Sequence, residues 1–331
     1  IYQKGAVSIW RDKVFESTDN SSAKVDLHVN GATRIGDTDP AVTKKVGANS
    51  FAGGNAAVAS GNNAMAYGTS VEASGENSSA FGNATGAIGS NSIAMGDQST
   101  AVVENSAAFG FKTTSSAINS LSIGANTFAM GAQSFAGGSK STASGENSAA
   151  FGNDTQATGP ESFAIGNKVT AEGAQSFAGG GNGSTATGQY AFAFGNNAQA
   201  KANHAVAMGV GTVAPARSSV TLGRYNVNTF TSPNIAQNSP GDPIFQVGSG
   251  PDDARRYNII TTFLGTNGST GDGGGWMAIG GDLNTMPVKA QDETLRVYGG
   301  TLANKAYVTD INSVTGAATD KLVVADASTG Q

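Results

Sequence analysis

The sequence predicts an all-β solenoid with 14-residue turns, and three observations carry that prediction. A glycine returns every 14 residues, at positions 54, 68, 82, 96, 110, 124, 138, 152, 166 and 180. After a one-residue slip in Gly179-Gly180-Gly181 it resumes at 195, 209 and 223, so thirteen copies stand in line. A weaker echo follows seven residues later, at Gly61, Gly75, Gly89, Gly131, Gly145, Gly159, Gly173 and Gly188. A fixed internal period of this kind marks a stacked array in which each unit contacts only its neighbours.

Within the array each period reads Ser/Ala-x-Ala-x-Gly, as in Ser50-Phe51-Ala52-Gly53-Gly54 and Ser162-Phe163-Ala164-Ile165-Gly166. Five residues of period-two alternation followed by a Gly/Asn/Ser-rich stretch predict a strand and a tight corner, because Gly and Asn tolerate positive φ. With the seven-residue echo, each turn holds two short strands. A helix is disfavoured, since glycine at this density costs about 1 kcal/mol each relative to alanine and no 3.6-residue apolar stripe offsets it. The two x positions of a strand share a face and their sizes compensate: Phe51 with Gly53, Phe135 with Gly137, Phe177 with Gly179, and conversely Ser79 with Phe81, Ala107 with Phe109, Ala149 with Phe151. Constant volume of this kind predicts that the x face fills the interior of the coil. The opposite Ser/Ala face is then the one expected to admit another subunit.

The runs Ser92-Ile-Ala-Met-Gly96, Ser148-Ala-Ala-Phe-Gly152 and Ala205-Val-Ala-Met-Gly209, at this double period, resemble the head of trimeric autotransporter adhesins of the YadA type. The resemblance covers roughly residues 47 to 224. Ser122 and Thr221 replace the motif alanine, and the echo fades around Val103 and Ala117. It implies a homotrimeric left-handed parallel β-roll belonging to a bacterial cell-surface adhesin, anchored in the outer membrane through other regions. Elementary energetics agree with self-association, because a 14-residue coil encloses a core only one or two side chains wide and buries little against its chain entropy. Thirteen turns at about 4.8 Å each give a rod on the order of 60 Å.

Small β-rich modules are expected to flank the roll. Residues 1–46 form an N-terminal cap or connector, 47–224 the roll, 225–290 a C-terminal module and candidate binding tip, and 291–331 a connector toward a stalk or next module. Asp242-Pro-Ile-Phe-Gln-Val-Gly-Ser-Gly250 resembles modules of phage tail fibres and mosaic trimeric surface fibres. With neither a leader nor a membrane barrel, the chain is expected to be a piece of a longer secreted protein.

Chemistry-bearing residues are sparse. There is no cysteine, only 13% of residues are charged, and the net charge is −5 without a basic run, which argues against nucleic acid and anionic lipid as partners. No apolar stretch approaches the roughly 20 residues of a membrane helix. His28 and His204 stand 176 positions apart, with no metal-ligand spacing, so no metal or cofactor is expected. Asp252-Asp253 has the composition of a glycosidase pair, but adjacent carboxylates in a Pro-Asp-Asp turn more often solvate a loop, with Arg255 and Arg256 as their partners. Thr100, Thr113, Thr142, Thr155 and Thr170 form no single rank, and no Asp lies in register for a calcium repeat.

The residues expected to carry recognition are Trp276 and its companions Tyr257, Arg255 and Asp272, an aromatic plane beside polar groups of the kind that binds sugar faces. The plainer reading of Trp276 is a core anchor of this module, and of Trp10 a cap contact. The function expected is attachment, by a homotrimer, to a glycan or protein of another cell or matrix rather than catalysis. A receptor-binding phage-type fibre shares every one of these features, and a polysaccharide-cleaving tailspike is the enzymatic alternative.

Overall fold

The computed structural model describes residues 33–35, 46–229, 235–239, 241–264, 276–279 and 295–297. Its main body is a parallel β-solenoid. Long strands begin with β2 (Phe51–Gly53) and β4 (Met65–Thr69) and recur as every second element to β26 (Val220–Arg224). Two-residue strands run between them from β3 (Val58–Ala59) to β25 (Val213–Ala214). The short strands make a separate 12-stranded sheet. Each long strand pairs in parallel with the one a turn away, Met65 against Ser79 and Gly152 against Gly166, so the period in the sequence is the register of the sheet.

The corners are made by left-handed residues, two per turn. One column holds Asn49, Asn63, Asn77 and Asn91 at φ near 55°; the other includes Lys112, Lys140 and Lys168. Asparagine suits the first column because it tolerates this conformation and its carboxamide can bridge turns. Asn63 Nδ2 donates to Asn77 Oδ1 at 3.1 Å, and Asn77 to Asn91 at 3.1 Å. The corner amides are also paired, Asn63 N donating to Ala48 O and Asn77 N to Asn62 O, so the backbone is satisfied where it turns. His204, also at a corner, stacks on Tyr190 one turn back, with ring centroids 5.0 Å apart.

The 14-residue glycine falls inside the long strand rather than at the corner. Gly152 is the fourth residue of Ala149–Asn153 and has φ +134°. A methyl there would lie on the carbonyl oxygen of Gly166 in the next turn, so two independent requirements, conformation and close approach, fix the residue.

One expectation is reversed. The space between the two sheets is filled by the small residues: Ala66, Ala80, Ala94, Ala136, Ala150 and Ala164 of the long strands are fully buried, as are Ala73, Ala87, Ala101, Ala143 and Ala157 of the short ones. Ser78, Ser92 and Ser106 join them, and Thr113 and Thr155 are interior as well. The Ser78 hydroxyl donates to Gly75 O at 2.7 Å. The large x residues point outward. The alternation is present as expected but its sense is inverted, because a turn closed by a two-residue strand brings its sheets too close together for Phe, Ile or Met. The Ser/Ala face, expected to admit another subunit, is therefore interior, and the x face is the one left open.

Strand pairing continues past both ends of the repeat. β1 (Thr33–Ile35) pairs in parallel with β2, placing Arg34 beside Ala52. β27 (Pro243–Ser249) pairs in parallel with β26, so that Phe245-Gln246-Val247-Gly248 lies beside Val220-Thr221-Leu222-Gly223. β28 (Asn258–Phe263) then turns back antiparallel, followed by β29 (Trp276–Ile279), also antiparallel to it, and β30 (Leu295–Val297) parallel to β29. The interior is closed here by amides. Asn226 takes the place of a further short strand, its Oδ1 accepting from Val213 N at 2.7 Å and its Nδ2 donating to Val213 O at 2.9 Å. Fully buried Gln246 sits at the alanine position of its strand and accepts from Asn226 Nδ2 at 3.0 Å. Terminal polar satisfaction of this kind leaves β25 without raw backbone groups.

Candidate functional site

The most extensive feature that the fold builds is a flat apolar face. Along the outside of the long-strand sheet the two x positions form continuous columns. One reads Phe51, Met65, Ser79, Ile93, Ala107, Leu121, Phe135 and so on; the other reads Gly53, Tyr67, Phe81, Met95, Phe109, Ile123, Gly137. Tyr67, Met95, Ile165, Phe194 and Met208 are each 40% exposed or more. Volume compensation acquires a new meaning at this surface. The Phe151 and Phe135 rings lie over Gly137, where an added Cβ would meet Phe151 at 3.0 Å, and the Phe194 ring lies over Gly179 at 2.7 Å. Laying a ring across a glycine keeps the face level. The rings also stack along the axis: Phe163 on Phe177 at 5.6 Å and Phe177 on Phe192 at 4.8 Å, both within 10° of parallel, with Phe135 and Phe151 edge to face at 4.5 Å. Sequence reasoning missed this surface; the available signal was that the x side chains are too bulky for so short a turn.

Of the residues expected to bind ligand, Arg255, Tyr257 and Trp276 lie among the described residues. Arg255 and Tyr257 lie in the connection between β27 and β28, and Tyr257 is 42% exposed. Arg255 is bound to Asp252, its Nε donating to Asp252 Oδ2 at 3.0 Å and its Nη2 to the same oxygen. That guanidinium holds the Asp252 carboxyl below the usual carboxylate range, and the carboxylate raises Arg255 in turn. A depressed carboxylate favours the folded form above its unfolded pKa and loses that contribution as pH falls through the folded value; on so exposed a pair the effect is small. Arg256 pairs with Asp253 and donates from Nη1 to Gly211 O at 2.8 Å and Asn226 O at 3.1 Å, with its guanidinium 5.6 Å from the Tyr225 ring centre. The two aspartates are thus engaged by the arginines three residues on, as the sequence suggested, and serve to tie this connection to the end of the roll. Trp276 opens β29, with its Cα in register with Phe263. Asp272, Trp10 and His28 lie outside the described residues.

Among the described residues no three His, Cys, Asp or Glu side chains stand together as a metal site. No helix among them is long and apolar enough to cross a membrane.

Comparison with known proteins accords with this geometry. The family described as YadA head domain repeat (2 copies) matches residues 73–99, 87–113, 104–127, 143–168 and 186–212, all within the solenoid. No curated protein matches the chain. The matched segments span the alternation, the in-strand glycine and the short-strand echo that generate the stacked turns. The solenoid therefore carries YadA-like head repeats.

Proposed function

We propose that the chain is a homotrimeric segment of an extracellular bacterial adhesive fibre, in which the apolar long-strand faces of three copies pack about one axis. The observation that carries this reading is the pair of outward columns, apolar at every turn but for Ser79. Thirteen turns and two side-chain columns amount to a surface on the order of 700 Å², above the roughly 300–600 Å² of the largest apolar patch on a typical monomer. A second copy is the natural occupant because the columns are level and repetitive, and a rotation axis parallel to the roll matches every turn to the same turn of its neighbour.

Attachment in such a fibre is multivalent: three equivalent weak sites on one rod raise avidity by a factor on the order of 10² or more over one contact. The surface proposed to meet a glycan or protein on another cell or matrix is the non-repeating connection around Arg255 and Tyr257, with Trp276 and Asp272 from the same segment. The test is binding of the assembled protein to arrays of glycans and matrix proteins. Tyr257→Ala and Trp276→Ala are expected to reduce the array signal at least about tenfold, as loss of an aromatic anchor does. Undiminished binding by both variants would remove this segment as the recognition surface.

A further inference from the structure

The apolar columns do not stop where the glycine repeat stops. In β27 the outward positions are Phe245 and Val247, in register with Val220 and Leu222 of β26. β28 runs in the opposite direction, yet Thr262 stands beside Phe245 and Ile260 beside Val247. β29 places Met277 beside Thr262 and Ile279 beside Ile260. Met277 and Ile279 are 36% and 38% exposed. The alternate positions are the buried ones: Gln246 and Thr261 are fully buried and Phe263 nearly so. A register slip of one residue would have exchanged the two faces. Two irregularities flank the paired stretch: one between Val247 and Gly248 skips Ile259, whose side chain is 49% exposed, and one between Pro243 and Phe245 skips Ile244. Between these two irregularities the antiparallel hairpin keeps the inward and outward parity of the parallel roll.

From this continuity we infer that the self-contact surface extends through β27, β28 and β29, whose outward columns pack against the same strands of two further copies of this chain. The inference rests on the homotrimer proposed above. It adds that the strands after Gly223 are an assembly element as well as the carrier of a recognition loop. The connection holding Arg255 and Tyr257 lies outside the two columns, so it stays open to a ligand in the assembled protein.

The chain has no cysteine, so single introduced thiols report position without background. Thr262→Cys and Val247→Cys probe the extension, Met208→Cys the roll face, and Arg255→Cys the connection. Each full-length protein is treated with a short bis-maleimide and run on a denaturing gel. Thr262→Cys and Val247→Cys are expected to give covalent dimer within about twofold of Met208→Cys, and Arg255→Cys about tenfold less, as high effective concentration within an assembly requires. Cross-linking at Met208 alone, in proteins that keep the trimer mass, overturns the extension and leaves the homotrimer standing. Loss of cross-linking at all positions in proteins with the mass of one chain overturns both. Thr262→Cys is close to isosteric, so it reads the position even if Val247→Cys disturbs packing.

Discussion

Gly152→Ala is expected to break the stack of turns at its middle. The new methyl meets the backbone oxygen of Gly166, which has no flexible end to move aside, and φ of +134° is a conformation that L side chains rarely adopt. Backbone strain of about 1–3 kcal/mol and steric displacement of similar size add to roughly 3–5 kcal/mol. At about 2–4 °C per kcal/mol for a domain of this size, the melting temperature followed by circular dichroism should fall by about 10 °C or more. Gly86→Ala is the paired control. Its Cβ meets nothing closer than Thr100 Cγ2 at 3.5 Å, an ordinary contact, and the position carries no positive φ. That variant should match or slightly exceed the parent, by about 0.4–1 kcal/mol, through loss of unfolded-state entropy. Equal melting of the two variants would show that the glycine period is not set by the close approach of successive turns.

The second large effect belongs to the outer face. Phe163→Asp combined with Phe177→Asp sets carboxylates on adjacent turns of the column where the parent stacks two rings. In a trimer the substitutions gather six negative charges on a buried axis, at a cost of several kcal/mol per uncompensated ion. Light scattering should therefore report single chains for the double variant. The β signal in circular dichroism should persist, because neither ring contributes to the alanine-filled interior. A double variant that keeps the parent's mass would place the interface elsewhere. Loss of the β signal along with the mass would mean that the solenoid depends on its partners to remain folded, as stacked repeats with thin cores often do.

These two substitutions also mark what the sequence made legible. The period of Gly152 predicted the strands, their parallel register and the stacking of turns, because backbone geometry alone imposes it and each turn repeats the same constraint. The alternation around Phe163 predicted that two faces differ. It did not reveal which face is inside, since alternation is symmetric and only the distance between sheets distinguishes the faces; two-residue strands such as Thr170–Ala171 leave room for alanine and not for phenylalanine. The continuation into β27 was hidden by chemistry, because Gln246 stands where the repeat has alanine and an 18-residue connection separates Arg224 from Pro243. Of the residues expected to recognise ligand, Arg255 was legible as a partner for an aspartate three positions away, a local relation. The register of Trp276 with Phe263 is not local, and no motif announced it.

The cover proposed for the apolar columns of this head is two more copies of the chain. Sedimentation equilibrium on the unmodified chain tests it most directly, because the mass obtained does not depend on the rod's shape. A trimer gives a single species of about three times the 32.9 kDa chain mass, unchanged on dilution through the micromolar range. A single species of 32.9 kDa with its apolar columns in water would contradict it.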